Sequence, residues 1–167
     1  MCFSPQIDDY KKTTPTLDLK EFYAGDLKAH GVARNWRGKV VRKFQADVSG
    51  TSTDGHLTLH EFFTYDDGRT FKRQWDIKEE ATDQSEGNNL TGTGADIFGQ
   101  LIGKSRGCAA QLCYTLKIPS KKSKRGFSTL TVDHWQYKID ETHVLHFLKL
   151  KKFGFTLINS TVMFTKV

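Results

Sequence analysis

The sequence consists mainly of short stretches in which apolar and polar residues alternate, separated by turn-forming residues. Alternation with a period of two places every second side chain on one face, as in a strand with one buried face. Candidate strands span residues 26–36, 40–49, 56–66, 69–79, 88–96, 98–106, 109–119, 127–139, 143–152 and 155–166. The connections are short enough for hairpins. Because closure removes exposed edges, the pattern predicts an all-β fold, a single antiparallel up-and-down β-barrel of about ten strands.

The N-terminal segment differs from this pattern. Residues 1–17 are polar and contain Pro5 and Pro15, so they are predicted to be a tether, and residues 18–167 are predicted to be the barrel domain. Residues 17–22 fit either a short helix or a first strand. No apolar run approaches the length of a membrane span.

One hairpin, HEFFTYDDGRTFKRQW at residues 60–75, can be worked through in register. The Asp-Asp-Gly at 66–68 suits a three-residue loop with its glycine in the left-handed conformation. That loop places Glu61 opposite Arg73, and directly opposed residues share a face of the sheet. Alternation assigns both side chains to the apolar face. They are therefore predicted to meet inside the barrel.

The preceding strand adds a third charge, because Arg42 alternates onto the same inward face. Inward charges persist only when they are paired, so the two guanidinium groups and the carboxylate need partners. Asp96 is one candidate partner, and Asp133, beside Trp135 and Tyr137, is another. The charges then form either a self-satisfied network or a site that leaves an arginine free for a ligand's carboxylate or phosphate.

No catalytic constellation is recognisable. Alternation places His60 and His134 on outward faces, and neither a nucleophile elbow nor a metal-ligand spacing occurs in the sequence. The glycine-rich segment at 92–99 is not followed by a helix, which indicates a bent strand rather than a phosphate-binding loop. Glu61 and Asp133 are the candidate bases if the protein is an enzyme. No catalytic residue, metal ligand or cofactor is predicted.

The net charge of +6 and the pI of about 9.2 favour acidic partners, which include nucleic acid, anionic lipid and anionic small molecules. The aromatic residues alternate toward the core and the charges toward solvent, which does not make a base-stacking platform. The sequence therefore predicts no nucleic-acid partner. The basic loop at 121–126 is interpreted as a solvated hairpin tip.

Cys2 directly follows the first residue and precedes a polar segment, as at the start of a mature bacterial lipoprotein whose signal peptide has been removed. In that interpretation Met1 is not part of the natural mature chain. These residues alone equally allow a cysteine that has no such role.

Five short segments stand out by their order and spacing: Arg42-Lys43-Phe44, Tyr65-Asp66-Asp67-Gly68, Gly92-Thr93-Gly94-Ala95-Asp96, Asp133-His134-Trp135 and Lys152-Phe153-Gly154. Together they resemble a family of uncharacterised proteobacterial lipoproteins, domain-of-unknown-function family 3833. The resemblance covers nearly the whole chain, from Leu17 to Lys166, and implies a lipocalin-like, calycin-type barrel. The sequence departs from the family's polar Asn-Arg pair at His146-Phe147, which leaves the role of that pair open.

The resemblance also bears on location, because members of this family begin their mature chain at a lipidated cysteine. Cys2 corresponds to that position and is the predicted lipidation site. The implied location is the bacterial cell envelope, as an outer-membrane lipoprotein that faces the periplasm and is held to the membrane by its N-terminal lipid.

The sequence is best explained by a barrel that binds an apolar or amphipathic small molecule, such as a fatty acid or lipid. The predicted lining consists of Phe44, Leu59, Phe63, Phe71, Trp75, Tyr114, Trp135 and Tyr137. The predicted ligand-binding residues are Arg42, Glu61, Arg73, Trp75, Asp133, Trp135 and Tyr137. The two arginines would hold an acidic head group, and Glu61 would orient one of them. The alternatives are an enzyme acting on a lipid-like substrate in the same cavity and a purely structural envelope lipoprotein.

Overall fold

The computed structural model describes residues 4–82 and 87–167, and within them ten antiparallel strands close into a barrel. The strands are β1 (Gly25–Asn35), β2 (Val40–Thr53), β3 (His56–Tyr65), β4 (Thr70–Ala81), β5 (Gly87–Gly94), β6 (Leu101–Arg106), β7 (Ala109–Pro119), β8 (Phe127–Asp140), β9 (His143–Lys152) and β10 (Phe155–Lys166). Each strand pairs with the next, and β1 pairs with β10. The predicted fold, an all-β closed up-and-down barrel, is confirmed.

The connections lie alternately at the two ends of the barrel, because every strand runs antiparallel to its neighbours. One end, here called the open end, carries the turns at 36–39, 66–69, 95–100, 120–126 and 153–154. The opposite end, here called the closed end, carries the described turns at 54–55, 107–108 and 141–142.

The β3–β4 hairpin has the predicted register, with Glu61 opposite Arg73 and Phe63 opposite Phe71. Gly68 adopts a φ of +84°, the left-handed conformation that the loop requires. The hairpin register therefore followed from the turn chemistry and the alternation alone.

A short helix, α1 (Leu19–Phe22), lies at the closed end. Its first turn is capped by Asp18, whose carboxylate accepts a hydrogen bond of 3.1 Å from the backbone N–H of Glu21. Its Leu and Phe side chains and Tyr23 are at most 2% exposed. Gly50 lets the chain pack closely, since a Cβ there would lie 1.7 Å from the carbonyl oxygen of Tyr23. Of the two structures considered for residues 17–22, the helix is correct.

Residues 4–17, which the sequence assigns to a tether, pack against the outer wall of the barrel. The backbone N–H of Leu17 donates a hydrogen bond of 2.9 Å to the carbonyl of Gly107, at the closed end. Further toward the N-terminus, Ile7–Tyr10 forms a 3₁₀ turn that contacts β6 and β7. Cys2 lies outside the described residues, so its lipidation stays a prediction.

None of the described helices has the length and apolar composition needed to cross a membrane.

Candidate functional site

The barrel encloses a cavity of about 320 Å³. This volume lies within the range of about 300–1,000 Å³ found for small-molecule sites. Leu19 and Tyr23 line it at the closed end, where both are buried. Toward the open end its lining includes Arg42 and Phe71, whose side chains are partly exposed to solvent. The cavity is thus plugged by α1 and Tyr23 at one end and opens at the other.

Most of the cavity wall is apolar. Six of the eight side chains predicted to line the interior do so: Phe44, Leu59, Phe63, Phe71, Trp75 and Tyr114. They are joined by aliphatic side chains that include Leu112, Leu148, Leu150, Ile158 and Val162. That any of them binds a ligand stays a prediction.

Arg73 and Glu61 both line the cavity, as predicted, but the guanidinium pairs with a different carboxylate. Arg73 Nη2 lies 2.8 Å from Asp96 Oδ2, and Arg73 Nε donates to the same oxygen at 3.0 Å. Glu61 instead accepts a hydrogen bond from Nε1 of Trp75. Burial raises the pKa of Glu61, and the nearby charge of Arg73 opposes that rise. Asp96 was one of the two candidate partners named from the sequence.

Arg42 lies at the mouth of the cavity rather than deep inside. Its side chain is 44% exposed, and its Nε lies 3.4 Å from Asp67 Oδ2. That same oxygen accepts a hydrogen bond of 2.8 Å from Nε of Arg69. One carboxylate is therefore shared between two guanidinium groups.

Asp133, Trp135 and Tyr137 were predicted to face the interior, and that placement is wrong. They line a groove on the outer wall, where the ring of Tyr10 packs 5.8 Å from Trp135 and 5.4 Å from Tyr137 between centroids. Because the N-terminal segment covers this outer face, its aromatic residues are sheltered from water even though they lie outside the barrel. Apolar alternation therefore identified the wrong face of β8. The structure separates these three residues from Arg42 and the cavity.

His134 and Gln136 occupy the inner face of β8 instead, so the predicted outward orientation of His134 is also wrong. They belong to a buried polar chain with three other side chains. Tyr114 Oη lies 3.1 Å from His134 Nδ1, and His134 Nε2 lies 2.7 Å from His146 Nδ1. His146 Nε2 lies 2.6 Å from Tyr23 Oη, which donates to Gln136 Oε1 at 2.6 Å. The sequence signal for this buried polar chain was a pair of polar residues two positions apart in β8, His134 and Gln136.

The donors and acceptors of this chain can be ordered. The Gln136 carbonyl only accepts, so Tyr23 uses its one proton there and must accept from Nε2–H of His146. His146 Nδ1 then accepts from Nε2–H of His134, whose Nδ1 accepts from the Tyr114 hydroxyl. Both imidazoles are neutral with no free lone pair, and every bond is satisfied.

The titration of these groups agrees with that order. Burial lowers the pKa of His134 to about 3, with a further lowering by the charge of Arg73. Burial, with a contribution from His134, holds the pKa of His146 well below its usual value. Burial also raises the pKa of Tyr23 well above its usual value. The chain is thus a neutral, ordered network beside the cavity.

Within the residues that the structure describes, no group of three or more His, Cys, Asp or Glu side chains is arranged to hold a metal ion.

The fold and cavity define a lipocalin-like barrel that is plugged at one end and open at the other. A solved structure with this fold is that of the S-type phycobiliprotein lyase CPES from Guillardia theta, with a TM-score of 0.62 and 9% sequence identity. The match covers 98% of this chain and 97% of the lyase chain, and at this identity it shows the fold alone. Among curated proteins no match is found. The chain belongs to the family described as Protein of unknown function (DUF3833), which matches residues 1–166. The family assignment made from the sequence is thereby confirmed, and its implication that the chain is a lipoprotein stays a prediction.

Proposed function

We propose that the protein binds an amphipathic small molecule, with an apolar chain in the cavity and an acidic head group at the mouth. The observation that carries this proposal is an apolar cavity of about 320 Å³ that opens beside Arg42. The chemistry of its wall favours a fatty acid or a related lipid over a polar metabolite.

The energetics favour a long chain. Each methylene that leaves water contributes about 0.8 kcal/mol. Association itself costs on the order of 4–15 kcal/mol in lost freedom of motion. A chain of roughly five methylenes is therefore needed to offset the lower cost, and one of roughly nineteen to offset the upper cost. Short-chain acids are expected to bind weakly.

The head group is assigned to Arg42 because that guanidinium shares its carboxylate partner with Arg69. A planar guanidinium suits a carboxylate or phosphate by two parallel hydrogen bonds. Arg73, in contrast, already holds Asp96. Its part in this proposal is to shape the wall below the head group together with Glu61.

We further propose that the native protein is anchored through a lipid on Cys2 and lies in the bacterial envelope, facing the periplasm from the outer membrane. The support is the position of Cys2 in a chain of this family. Metabolic labelling of the native host with an alkyne fatty acid tests it: label on the wild type that disappears in Cys2→Ser is expected. An unlabelled wild type contradicts it.

Binding can be measured directly with cis-parinaric acid, a fluorescent fatty acid, displaced by palmitate or by the neutral hexadecanol. Arg42→Leu is expected to weaken the binding of palmitate about tenfold, equivalent to about 1.4 kcal/mol, and to leave the binding of hexadecanol unchanged. Lys43→Leu is the matched control, since it removes a neighbouring charge that lies outside the cavity lining. Equal losses for the acid and the alcohol would refute the assignment of the head group.

A second pair of variants tests the cavity itself. Ala33 lines the cavity, so Ala33→Phe fills it and is expected to abolish binding of both ligands. His30→Phe places the same side chain on an exposed position of the same strand and is expected to change nothing. A wild-type protein that fails to bind the probe, or an Ala33→Phe protein that binds it normally, contradicts the proposed function.

A further inference from the structure

The open end of the barrel is built unlike the rest of the surface, and we propose that it docks on an anionic phospholipid bilayer with the cavity mouth facing the lipids. This inference concerns the surface around the mouth. It does not depend on which molecule, if any, occupies the cavity.

Aromatic side chains project from the turns of this end. Among the described residues, the four most exposed aromatic side chains are Phe153 (89%), Phe155 (74%), Trp36 (67%) and Phe98 (50%). All four lie in or directly beside turns of the open end. Tryptophan and phenylalanine are the side chains that insert at the boundary between headgroups and acyl chains.

Phe153 is the clearest case. It forms a two-residue turn with Gly154 and adopts a φ of +50°, a conformation that suits Gly or Asn far better than an aromatic residue. Its ring is almost fully exposed, so packing within the protein does not account for the choice. We attribute the aromatic residue at this position to contact with a surface outside the protein.

Basic residues surround these aromatic tips. The turns at 36–39 and 120–126 carry six Lys or Arg side chains and no acidic one. Of the acidic residues in the other turns of this end, Asp67 and Asp96 are each paired with arginine, and Asp66 adds one negative charge. The described turns of the closed end, in contrast, contain Asp54 and Glu141 and no basic residue.

The two kinds of side chain are arranged together. Cation–π pairs occur at three separate turns: Arg37 over Trp36 at 4.6 Å, Lys152 over Phe153 at 5.3 Å and Arg125 over Phe98 at 6.0 Å. In the pairs of Arg37 with Trp36 and of Arg125 with Phe98, an apolar ring and a charge are exposed side by side, whereas the half-buried Lys152 also donates hydrogen bonds to Ser128 and Thr129. An anionic bilayer satisfies both at once, because rings enter the acyl boundary while the cations meet phosphate groups. A soluble polyanion satisfies only the charges.

Vesicle co-sedimentation of the non-acylated chain tests the docking surface. Vesicles of phosphatidylcholine and phosphatidylglycerol are expected to bind the protein in a salt-sensitive way, and vesicles of phosphatidylcholine alone much less. Lys121→Ser/Lys122→Ser is expected to weaken binding about 25-fold, since each basic residue contributes about fivefold. Trp36→Ser/Phe153→Asn is expected to weaken it about tenfold or more, and Asn tolerates the φ at 153.

The matched control removes exposed apolar side chains elsewhere. Phe62 is 40% exposed on the wall and Ile139 is 52% exposed near the closed end, so Phe62→Ser/Ile139→Ser is expected to bind vesicles as the wild type does. Circular dichroism of each variant confirms that it is folded. Equal losses in the control and the Trp36/Phe153 variant would overturn the proposal.

Tryptophan fluorescence reports insertion independently. Of the three tryptophans, Trp36 is 67% exposed, whereas Trp75 and Trp135 are each 6% exposed. Vesicles with brominated acyl chains are expected to quench the wild type, and the quenching is expected to be lost in Trp36→Phe. A wild type that ignores vesicles, or that binds heparin with the same dependence on Trp36 and Phe153, would overturn the proposal.

The cavity-filled variant separates this inference from the proposed function. Ala33→Phe is expected to lose fatty-acid binding and to keep wild-type vesicle binding. A wild-type protein that binds fatty acid but no vesicles would refute the docking surface alone. A wild-type protein that binds vesicles but no fatty acid would refute the carrier function alone.

Discussion

Acidification is expected to destabilise the barrel through the buried pair His134 and His146. Burial lowers the pKa of His134 to about 3 and holds the pKa of His146 well below the ordinary value of 6.5. In the unfolded chain both imidazoles regain that ordinary value. As the pH falls from 6.5 toward 3, the unfolded state therefore binds more protons than the folded state, and the free energy of unfolding decreases.

The size of the effect follows from proton counting. Each proton that only the unfolded state binds lowers the free energy of unfolding by about 1.4 kcal/mol per pH unit. Two histidines give a slope of about 2.7 kcal/mol per unit, against a total stability of about 5–15 kcal/mol for a typical protein. Glu61 acts in the opposite direction, because its pKa is raised in the folded state. Its contribution to the free energy of unfolding is fully present below pH 4.5 and is lost as the pH rises. The slope is therefore best isolated by comparing variants.

Urea unfolding at a series of pH values, followed by tryptophan fluorescence, measures that slope. His146→Asn keeps a donor and an acceptor in the chain and is expected to show a slope that is shallower by about 1.4 kcal/mol per unit. His30→Asn, at an exposed position, is the control. Long-range ¹H–¹⁵N NMR is expected to show both buried imidazoles as neutral Nε2–H tautomers at about pH 5. An imidazolium signal there, or equal slopes for the wild type and His146→Asn, would refute the reasoning.

Three further substitutions probe the cavity wall and the outer groove. Glu61→Gln removes a carboxyl whose pKa burial raises, so it is expected to stabilise the protein by about 1 kcal/mol near pH 8 and not near pH 4; urea titrations with identical pH profiles would contradict this. Asp96→Asn leaves Arg73 without its carboxylate and is expected to cost about 2 kcal/mol, less than for a fully buried pair because the arginine is 19% exposed; an unchanged urea midpoint would argue against it. Tyr10→Ala uncovers Trp135 and is expected to cost about 1–2 kcal/mol and to shift tryptophan emission to the red; unshifted emission would show that the segment does not cover the ring.

Alternation succeeded on strands whose outer face meets only water. On β3 and β4 the inward positions were assigned correctly, and the Asp-Asp-Gly turn was enough to pair Glu61 with Arg73. It failed on β8, where Trp135 and Tyr137 lie outside but are covered by Tyr10. Burial on the outer face requires knowledge of where residues 4–17 run, and nothing local to β8 carries that information.

Side-chain pairing inside the barrel was harder to predict than strand pairing. Arg73 meets Asp96, 23 residues away, rather than the carboxylate directly opposite on the neighbouring strand. Backbone register places two side chains on one face, but the final contact depends on rotamers and on how much each group loses on leaving water. For Glu61, burial and the bond from Trp75 decided the outcome.

The sequence by itself determined the strand order, the register of the β3–β4 hairpin and the closure into a barrel, because these depend on alternation and turn chemistry within short segments. The tertiary structure alone decided which end is open and that the polar chain lies inside. Tyr23 and His146 meet across 123 residues of sequence, and α1 plugs the barrel only because Gly50 admits the backbone of Tyr23. Such contacts arise when a closed sheet brings distant strands around one interior, where every buried donor and acceptor must find a partner.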